Sequence, residues 1–408
     1  MSIITLFSGS FCNENSVIEE IISRTGYRLI TDTEVVAEAS RLSEMAESKI
    51  MRAFSADTSV FNKFTHEKER SIAFLKLALA ELIPDDNALV TCFCGQLIPR
   101  AVSHSLRVCL IASLKYRIAE ASREQGVSEK DAAKLVQKRE EDCSVWIDML
   151  FNQSDPWDAG LYDIIIPADK MTPADAAVLI ADNAVSDVVR PTQSSKQALA
   201  DFRLTVGTEV ALAKEGHNVD VSAKDGSITI TINKHVLMLS RLQDELRSIA
   251  EQVPGVKAVE TKVGKGFHKS DIYRKHNFEM PSKVLLVDDE REFAQTLSER
   301  LMMRDMGPAV AYDGESALKL INEDEPEVMI VDLKMPGIDG LEVLRKVKET
   351  RPEIEVIILT GHGHEADREL CMKLGAFAYL QKPLDINELS EIIKKANEKI
   401  RQKKASKR

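Results

Sequence analysis

At 408 residues, with 44% hydrophobic and 29% charged side chains, the chain has the composition of ordinary globular proteins and is too long for one typical core, so roughly two to four domains are expected. A net charge of −11 argues against a general nucleic-acid binder. No apolar run approaches the ~20 residues of a membrane-spanning helix, and the opening MSIITLFSGSF lacks the basic segment of a signal peptide, so a buried strand and a cytoplasmic location are expected.

ITLFSGSF predicts a strand running into a Gly/Ser turn, and Asn15 to Thr25 has helical spacing, with Val17, Ile18, Ile21 and Ile22 apolar. Strand, glycine turn and helix form the setting of a phosphate-binding loop. Against the pattern G-x-x-x-x-G-K-[ST], the segment from Gly9 to Ser16 reads GSFCNENS. Gly9 and Ser16 fit, but Glu14 stands in place of the second glycine and Asn15 in place of the lysine. Among six cysteines only Cys92 and Cys94 are closely spaced. On a strand they share a face, and buried reduced thiols are expected, because a thiolate metal site needs more ligands nearby.

TGYRLITDTEVV, NALVTCFCGQLIP, LRVCLIASLKYRIAEASREQGVSEKDAAKLVQKREED and LYDIIIPADKMTPADAAVLI follow in order. With the first strand they resemble the cytidylate-kinase-like family from Met1 to about Val189. The resemblance implies a P-loop-kinase-like α/β domain over 1–193. The departures fall at the positions that carry chemistry. Asn15 removes the loop ammonium, and the Glu14 carboxylate would repel a triphosphate. Phe93-Cys94-Gly95 stands where the family has Gly-Arg-Gly. After Gln137-Lys138-Arg139, where the family's lid carries cations, come Glu140, Glu141, Asp142 and Cys143. Phosphoryl transfer depends on cations around the moving group, and acids reverse that field. A catalytically impaired pseudokinase or regulatory domain is expected, with Gly9 and Ser16 as the remnant of a nucleotide-binding loop. Lys138, Arg139 and Arg100 keep some anion binding conceivable. The alternative is an active nucleoside monophosphate (cytidylate-like) kinase regulated by the C-terminal domain.

From Ser194 the pattern changes. Gln197 to Glu215 is helical, and NVDVSAKDGSITITI alternates about an Asp225-Gly226 turn. His235 to Gln252 is helical, and VPGVKAVETKV closes with a strand. This α-β-β-α-β order, with its VPGV step, resembles a BON-type binding module over 194–264, and a generic α+β linker domain is the other reading. Gly264 to Ser282 is polar, basic and glycine-punctuated, a linker whose His268 and His276 are read as solvated.

KVLLVDDE, from Lys283 to Glu290, is an apolar run that stops on Asp288 and Asp289. VMIVDLKMPG does the same at Asp332, VIILTG ends on Thr360, and FAYLQKP ends just before Lys382. In a parallel sheet, strand ends of one polarity meet in one crevice, where ligands bind. Three carboxylates there repel one another unless a hard cation joins them, and Mg²⁺ suits that oxygen set. These residues and spacings resemble the receiver domain of two-component response regulators over 283–400, a flavodoxin-like (βα)5 fold with parallel strand order 2-1-3-4-5, followed by a basic tail at 401–408.

The resemblance implies a role for each position. Asp332 accepts a phosphoryl group from a sensor histidine kinase or phosphotransfer protein. Asp288 and Asp289, with Asp332 and the backbone carbonyl of Lys334, hold Mg²⁺. Thr360 engages the phosphoryl oxygens, Lys382 pairs with the phosphate, and Tyr379 changes rotamer on activation. His362 and His364 belong to the loop after Thr360 and are read as surface residues. With no DNA-reading element behind the receiver, output is expected through interdomain or protein contact, to a partner the sequence does not name, and a homodimer is compatible with this reading.

Overall fold

Unbroken apolar runs in this chain become the central strands of two parallel sheets, whose buried faces both require cover by helices. The computed structural model describes residues 2–57, 59–65, 67–217, 219–233, 239–264, 283–304, 306–361 and 364–406. The linker expected at 265–282, with His268 and His276, lies outside the described residues, as does His362. The chain divides into two compact units, Met1–Thr58 with Glu67–Lys275, and Ser59–His66 with His276–Arg408.

In the first unit, β1 (Ile3–Ser8), β2 (Arg28–Ile30), β3 (Ala88–Thr91), β4 (Ser105–Ile111) and β5 (Ile164–Pro167) form one sheet. Its order is β2-β3-β1-β4-β5, with every pairing parallel. Local chemistry starts its helices. Thr31, Ser128 and Thr172 each accept a backbone N–H from three residues ahead, capping Asp32–Ser43, Glu129–Phe151 and Pro173–Ala184.

The cysteine pair corrects an expectation. β3 ends at Thr91, and Cys92 turns out of the strand with φ 60°. The two thiols therefore do not share a strand face. The physical reason is Asp32, whose carboxylate accepts the backbone N–H groups of Phe93 (3.1 Å) and Cys94 (2.9 Å) and holds a tight helical turn there. All six cysteines are free thiols, and burial pushes Cys12, Cys109 and Cys143 up to about 12, so they stay protonated.

The first unit also holds a three-stranded sheet, with β6 (Asp220–Lys224) antiparallel to β7 (Ser227–Ile232) and β7 parallel to β8 (Ala258–Val263). Asp225 and Gly226 both take positive φ at the hairpin, as an Asp-Gly turn favours. The helices Gln193–Lys214 and Leu239–Ala250 complete the expected α-β-β-α-β order. Arg203 fastens the first of these to the end of the helix Glu67–Leu82, donating to the carbonyls of Ala80 and Ile83 and to Asp85 at 2.8 Å.

The second unit contains β9 (Val284–Val287), β10 (Ala309–Ala311), β11 (Val328–Val331), β12 (Glu355–Thr360) and β13 (Ala378–Gln381). The order is β10-β9-β11-β12-β13, all parallel, which is the flavodoxin-like 2-1-3-4-5 arrangement. Within this unit Phe61 is fully buried in the core, with the Lys283 ammonium 5.9 Å from its ring. Ser59 donates to Asp324, which pairs with Lys283 at 2.9 Å in a buried salt bridge. The segment Ser59–His66 falls in the span expected for the first domain, and nothing local in its sequence points to the second.

The last helix, expected to give way to a tail at 401, runs from Ile386 to Ser406. Glu355, fully buried at the start of β12, explains the extension. It accepts hydrogen bonds from Lys399 (3.0 Å) and Lys403 (2.9 Å), and Lys348 lies 3.8 Å away. Burial pushes the Glu355 carboxyl up, but hydrogen bonds from Lys403 and Lys399 more than reverse this and hold it below the usual carboxylate range. Lys403, from the expected tail, thus joins Lys399 in compensating a charge inside the domain.

One glycine carries a steric demand. A Cβ on Gly340 would lie 2.0 Å from the carbonyl oxygen of Asp332 and 2.8 Å from Leu333 Cα, both backbone atoms that cannot step aside cheaply. Gly340→Ala is expected to destabilise the second unit by about 3 kcal/mol. Chemical denaturation checks this, and an unchanged midpoint would contradict it.

Candidate functional site

Because β9, β11, β12 and β13 run parallel, the residues that follow them collect at one edge of the sheet. Asp288 and Asp289 follow β9, Asp332 follows β11, Thr360 ends β12, and Lys382 follows β13. Backbone bonds pin these carriers. The Asp332 N–H donates to Val287, and the Lys382 N–H to Thr360, both at 2.9 Å.

Carboxylate oxygens of Asp288, Asp289 and Asp332 lie within 4.8 Å of one another. Asp288 and Asp332 are buried and Asp289 is half-exposed. The Lys382 ammonium joins them. Its Nζ lies 2.7 Å from Asp288 Oδ2, 3.0 Å from Asp332 Oδ2 and 3.2 Å from Glu290 Oε1. Burial pushes the Asp288 carboxyl up, against the hydrogen bonds from Lys382 and from the Glu290 N–H. Burial pulls the Lys382 ammonium down, but its hydrogen bonds to Asp288 and Asp332 outweigh this and hold it above the ordinary lysine value.

This donor set is all hard oxygen, and its anions crowd together with one cation between them, so the residues fit a hard divalent cation such as Mg²⁺. Lys334 is placed beside the cluster by its N–H, 3.3 Å from Asp332 Oδ1, while its side chain is exposed. Thr360 is fully buried. Tyr379 is half-buried next to the core, and its hydroxyl is buried without a hydrogen-bond partner among the described residues. The edge therefore brings together the acidic cluster, Thr360 and Lys382. Sequence reasoning missed Glu290, Phe293 and Gly340. Glu290 adjoins the acidic pair, and Phe293 follows it by three residues in the first turn of the helix Arg291–Met302, a spacing that could have drawn notice.

In the first unit the remnant loop is shaped but differently filled. Gly9 is buried, and a Cβ there would meet Ile111 Cδ1 at 2.5 Å. Ser16 and Asn15 are exposed in the first turn of the helix Glu14–Thr25. The Glu14 carboxylate, at the N-terminus of that helix, accepts from the Ser8 hydroxyl, so an internal anion stands at the positive end of the helix. Burial raises the Glu14 carboxyl, Arg139 lowers it, and Asp32 and Glu124 raise it further. Three of the basic side chains in this unit have partners. Arg117 is buried and bound to Glu140 at 2.5 Å, Arg100 donates to the Gly160 carbonyl at 2.8 Å, and Lys138 pairs with Asp57 at 3.2 Å. Phe93, where the family has Gly-Arg-Gly, stacks on Phe54 at 5.0 Å and meets Phe7 and Trp146 edge-on, both at 5.8 Å.

Two stretches of the chain are similar to known families. Residues 284–394 match the response regulator receiver domain, and residues 3–170 match the cytidylate kinase-like family. Among solved structures, a receiver domain protein from Clostridium thermocellum is similar at 38% identity, over 30% of this chain and 98% of that one, with a TM-score of 0.28. The receiver domain of NtrX from Brucella abortus is similar at 29% identity, over 28% and 98%, with a TM-score of 0.28. Against a longer NtrX chain from Brucella abortus the match is 28% identical, with a TM-score of 0.30, and covers 31% of this chain but only 29% of that one.

Two outcomes follow from the electrostatics. In metal-free buffer, Lys382→Ala should lower the stability of the second unit by about 1–3 kcal/mol, because Asp288 and Asp332 then face each other uncompensated. Added Mg²⁺ should narrow the gap to wild type in a melting experiment, and equal stability with and without Mg²⁺ would contradict the cluster's role. In the first unit, a carboxyl with a raised pKa binds its proton more tightly folded than unfolded, so Glu14 costs stability as pH rises from the ordinary carboxylate range upward. Glu14→Gln should therefore raise the melting midpoint at pH 7 and leave it nearly unchanged near pH 4. A pH-independent effect would argue against the shift.

Proposed function

From a chain that joins a cytidylate kinase-like domain to a response regulator receiver domain, we infer a two-component response regulator in which Asp332 is the phosphoacceptor. The observation that carries the reading is the Lys382 ammonium shared between Asp288 and Asp332 at the strand ends. An Asp332 oxygen attacks the phosphorus of a phosphohistidine on a histidine kinase or phosphotransfer protein. The new P–O bond forms as the P–N bond breaks, and the imidazole nitrogen leaves with the electron pair and takes up a proton. Mg²⁺, when bound by Asp288, Asp289, Asp332 and the Lys334 carbonyl, would neutralise charge on the phosphoryl oxygens. Lys382 shifts from the Asp332 carboxylate to the phosphoryl group that replaces its charge. Thr360 donates its hydroxyl to the same group, and Tyr379 turns as the loop draws in.

The first unit acts in this reading as a regulatory domain and not as a nucleotide kinase. Its loop lacks the ammonium, Glu14 supplies an anion where a phosphate would sit, and Arg117, Arg100 and Lys138 are engaged by other groups. A pocket of about 250 Å³ beside the helix Glu129–Phe151 is lined by Asp57, Glu141 and Asp142 against Lys134 and Lys138, a poor field for a triphosphate. The output is a changed protein contact, within the chain or with a partner, and not DNA binding, in keeping with the net charge of −11.

A small phosphodonor with Mg²⁺ should label the wild-type chain. Asp332→Ala should abolish the labelling, Asp289→Ala should slow it about tenfold to a hundredfold, and Lys382→Ala should keep some labelling but lose the structural response. Labelling that persists in Asp332→Ala would overturn the acceptor assignment. Calorimetry with ATP and CMP should show binding weaker than ~1 mM, about −4 kcal/mol, and micromolar binding with product formation would overturn the regulatory reading.

A further inference from the structure

Lys382 has a fourth neighbour besides its three carboxylates. Its ammonium lies 4.1 Å from the ring centroid of Phe293. That is well inside the ~6 Å over which a cation is attracted to an aromatic face, and the lysine side chain is only 11% exposed, so water screens the contact little. Phe293 is itself held. It sits in the first turn of the helix Arg291–Met302 and packs against the core cluster that includes Leu286 and Leu297. Arg291, two residues earlier, is turned onto Tyr312, its guanidinium 4.4 Å from that ring, so the two cations each have an aromatic face of their own.

We propose that Phe293 is a positioning residue for phosphoryl transfer to Asp332, seating the Lys382 ammonium by its ring face. The proposal rests on the reading of Asp332 as acceptor. An ammonium has three N–H donors, and here Asp288, Asp332 and Glu290 take all three. In the phosphorylated state two of these partners change. The Asp332 carboxylate becomes an acyl phosphate, and Asp288 would be drawn to a bound Mg²⁺. Glu290 remains, but its side chain is 65% exposed and its pull is screened by solvent. A ring face attracts the cation without consuming a donor, so all three N–H groups stay available for oxygens while the nitrogen keeps its place. A second carboxylate in the same position would instead compete with the incoming phosphoryl group. An aliphatic side chain would fill the volume with no attraction.

The test uses the full-length chain. Phe293→Leu keeps an apolar side chain of similar bulk, and should weaken affinity for beryllofluoride, a phosphoryl mimic, about three- to tenfold and slow labelling by a small phosphodonor by a similar factor. Phe293→Tyr should restore both. Site-specific incorporation of phenylalanines carrying increasing numbers of ring fluorines at position 293 gives the readout that a merely structural role would not move. Fluorine withdraws charge from the ring face with little change in volume, so affinity should fall step by step with fluorination while the melting midpoint stays put. Equal affinity across the series, with wild type labelled normally, would overturn the positioning role and leave the acceptor assignment standing. A wild-type chain that takes no label at Asp332 would remove the acceptor assignment on which the proposal rests.

Discussion

One ammonium bridging buried carboxylates is the constraint around which the C-terminal unit is organised. Asp288 and Asp332 are nearly excluded from water and close enough to repel, and Lys382 makes that arrangement tolerable at 2.7 and 3.0 Å. Buried charge of this kind stabilises poorly but responds strongly, since any change at Asp332 must relocate the cation. The parallel sheet supplies what the ion cluster needs. It delivers residues far apart in sequence to one edge and fixes their backbones through bonds such as Lys382 to Thr360. Gly340, pressed against the Asp332 carbonyl, keeps the loop after β11 at its close approach to the next helix.

The N-terminal unit solves its electrostatics the opposite way. Its strand order and glycine turn have the layout of a phosphate-handling fold, but several of its charges are engaged by other groups of the protein. Glu14 leans on the helix end that would attract a phosphate, Arg117 is bound to Glu140, and Asp32 is occupied in capping the turn at Phe93 and Cys94. A site whose Arg117, Arg100 and Lys138 are engaged by other groups, and whose helix end carries a carboxylate, has less field to offer an anionic ligand. A site with one cation held among several acids can be switched. The two units differ in this electrostatic arrangement although both are built on five-stranded parallel sheets.

The features that were legible in sequence are those encoded by local pattern. Apolar runs ending on Asp288, Asp332, Thr360 and Lys382 announced both the parallel sheet and the residues that gather at one of its edges, because strand period and strand termination are short-range properties. The hairpin at Asp225-Gly226 was legible for the same reason. What stayed hidden depends on distant partners. Asp32, sixty residues before Cys94, ends β3 and turns the cysteine pair out of the strand. Glu355 needs lysines from the last helix, so residues that look like a solvated tail are drawn into regular structure. Phe61 joins a core more than two hundred residues away. Phe293 reads as one more apolar residue of an amphipathic helix, and only the three-dimensional position of Lys382 sets its ring against the ammonium.

The account stands or falls on which carboxylate carries the phosphoryl group. Acyl phosphates are reduced by borohydride to the corresponding alcohol, so trapping the labelled full-length chain and sequencing its peptides by mass spectrometry reads the site directly. Conversion of position 332 to homoserine, with Asp288 and Asp289 intact, is the predicted result. Homoserine at 288 or 289, or a labelled histidine or serine in place of an aspartate, would contradict it.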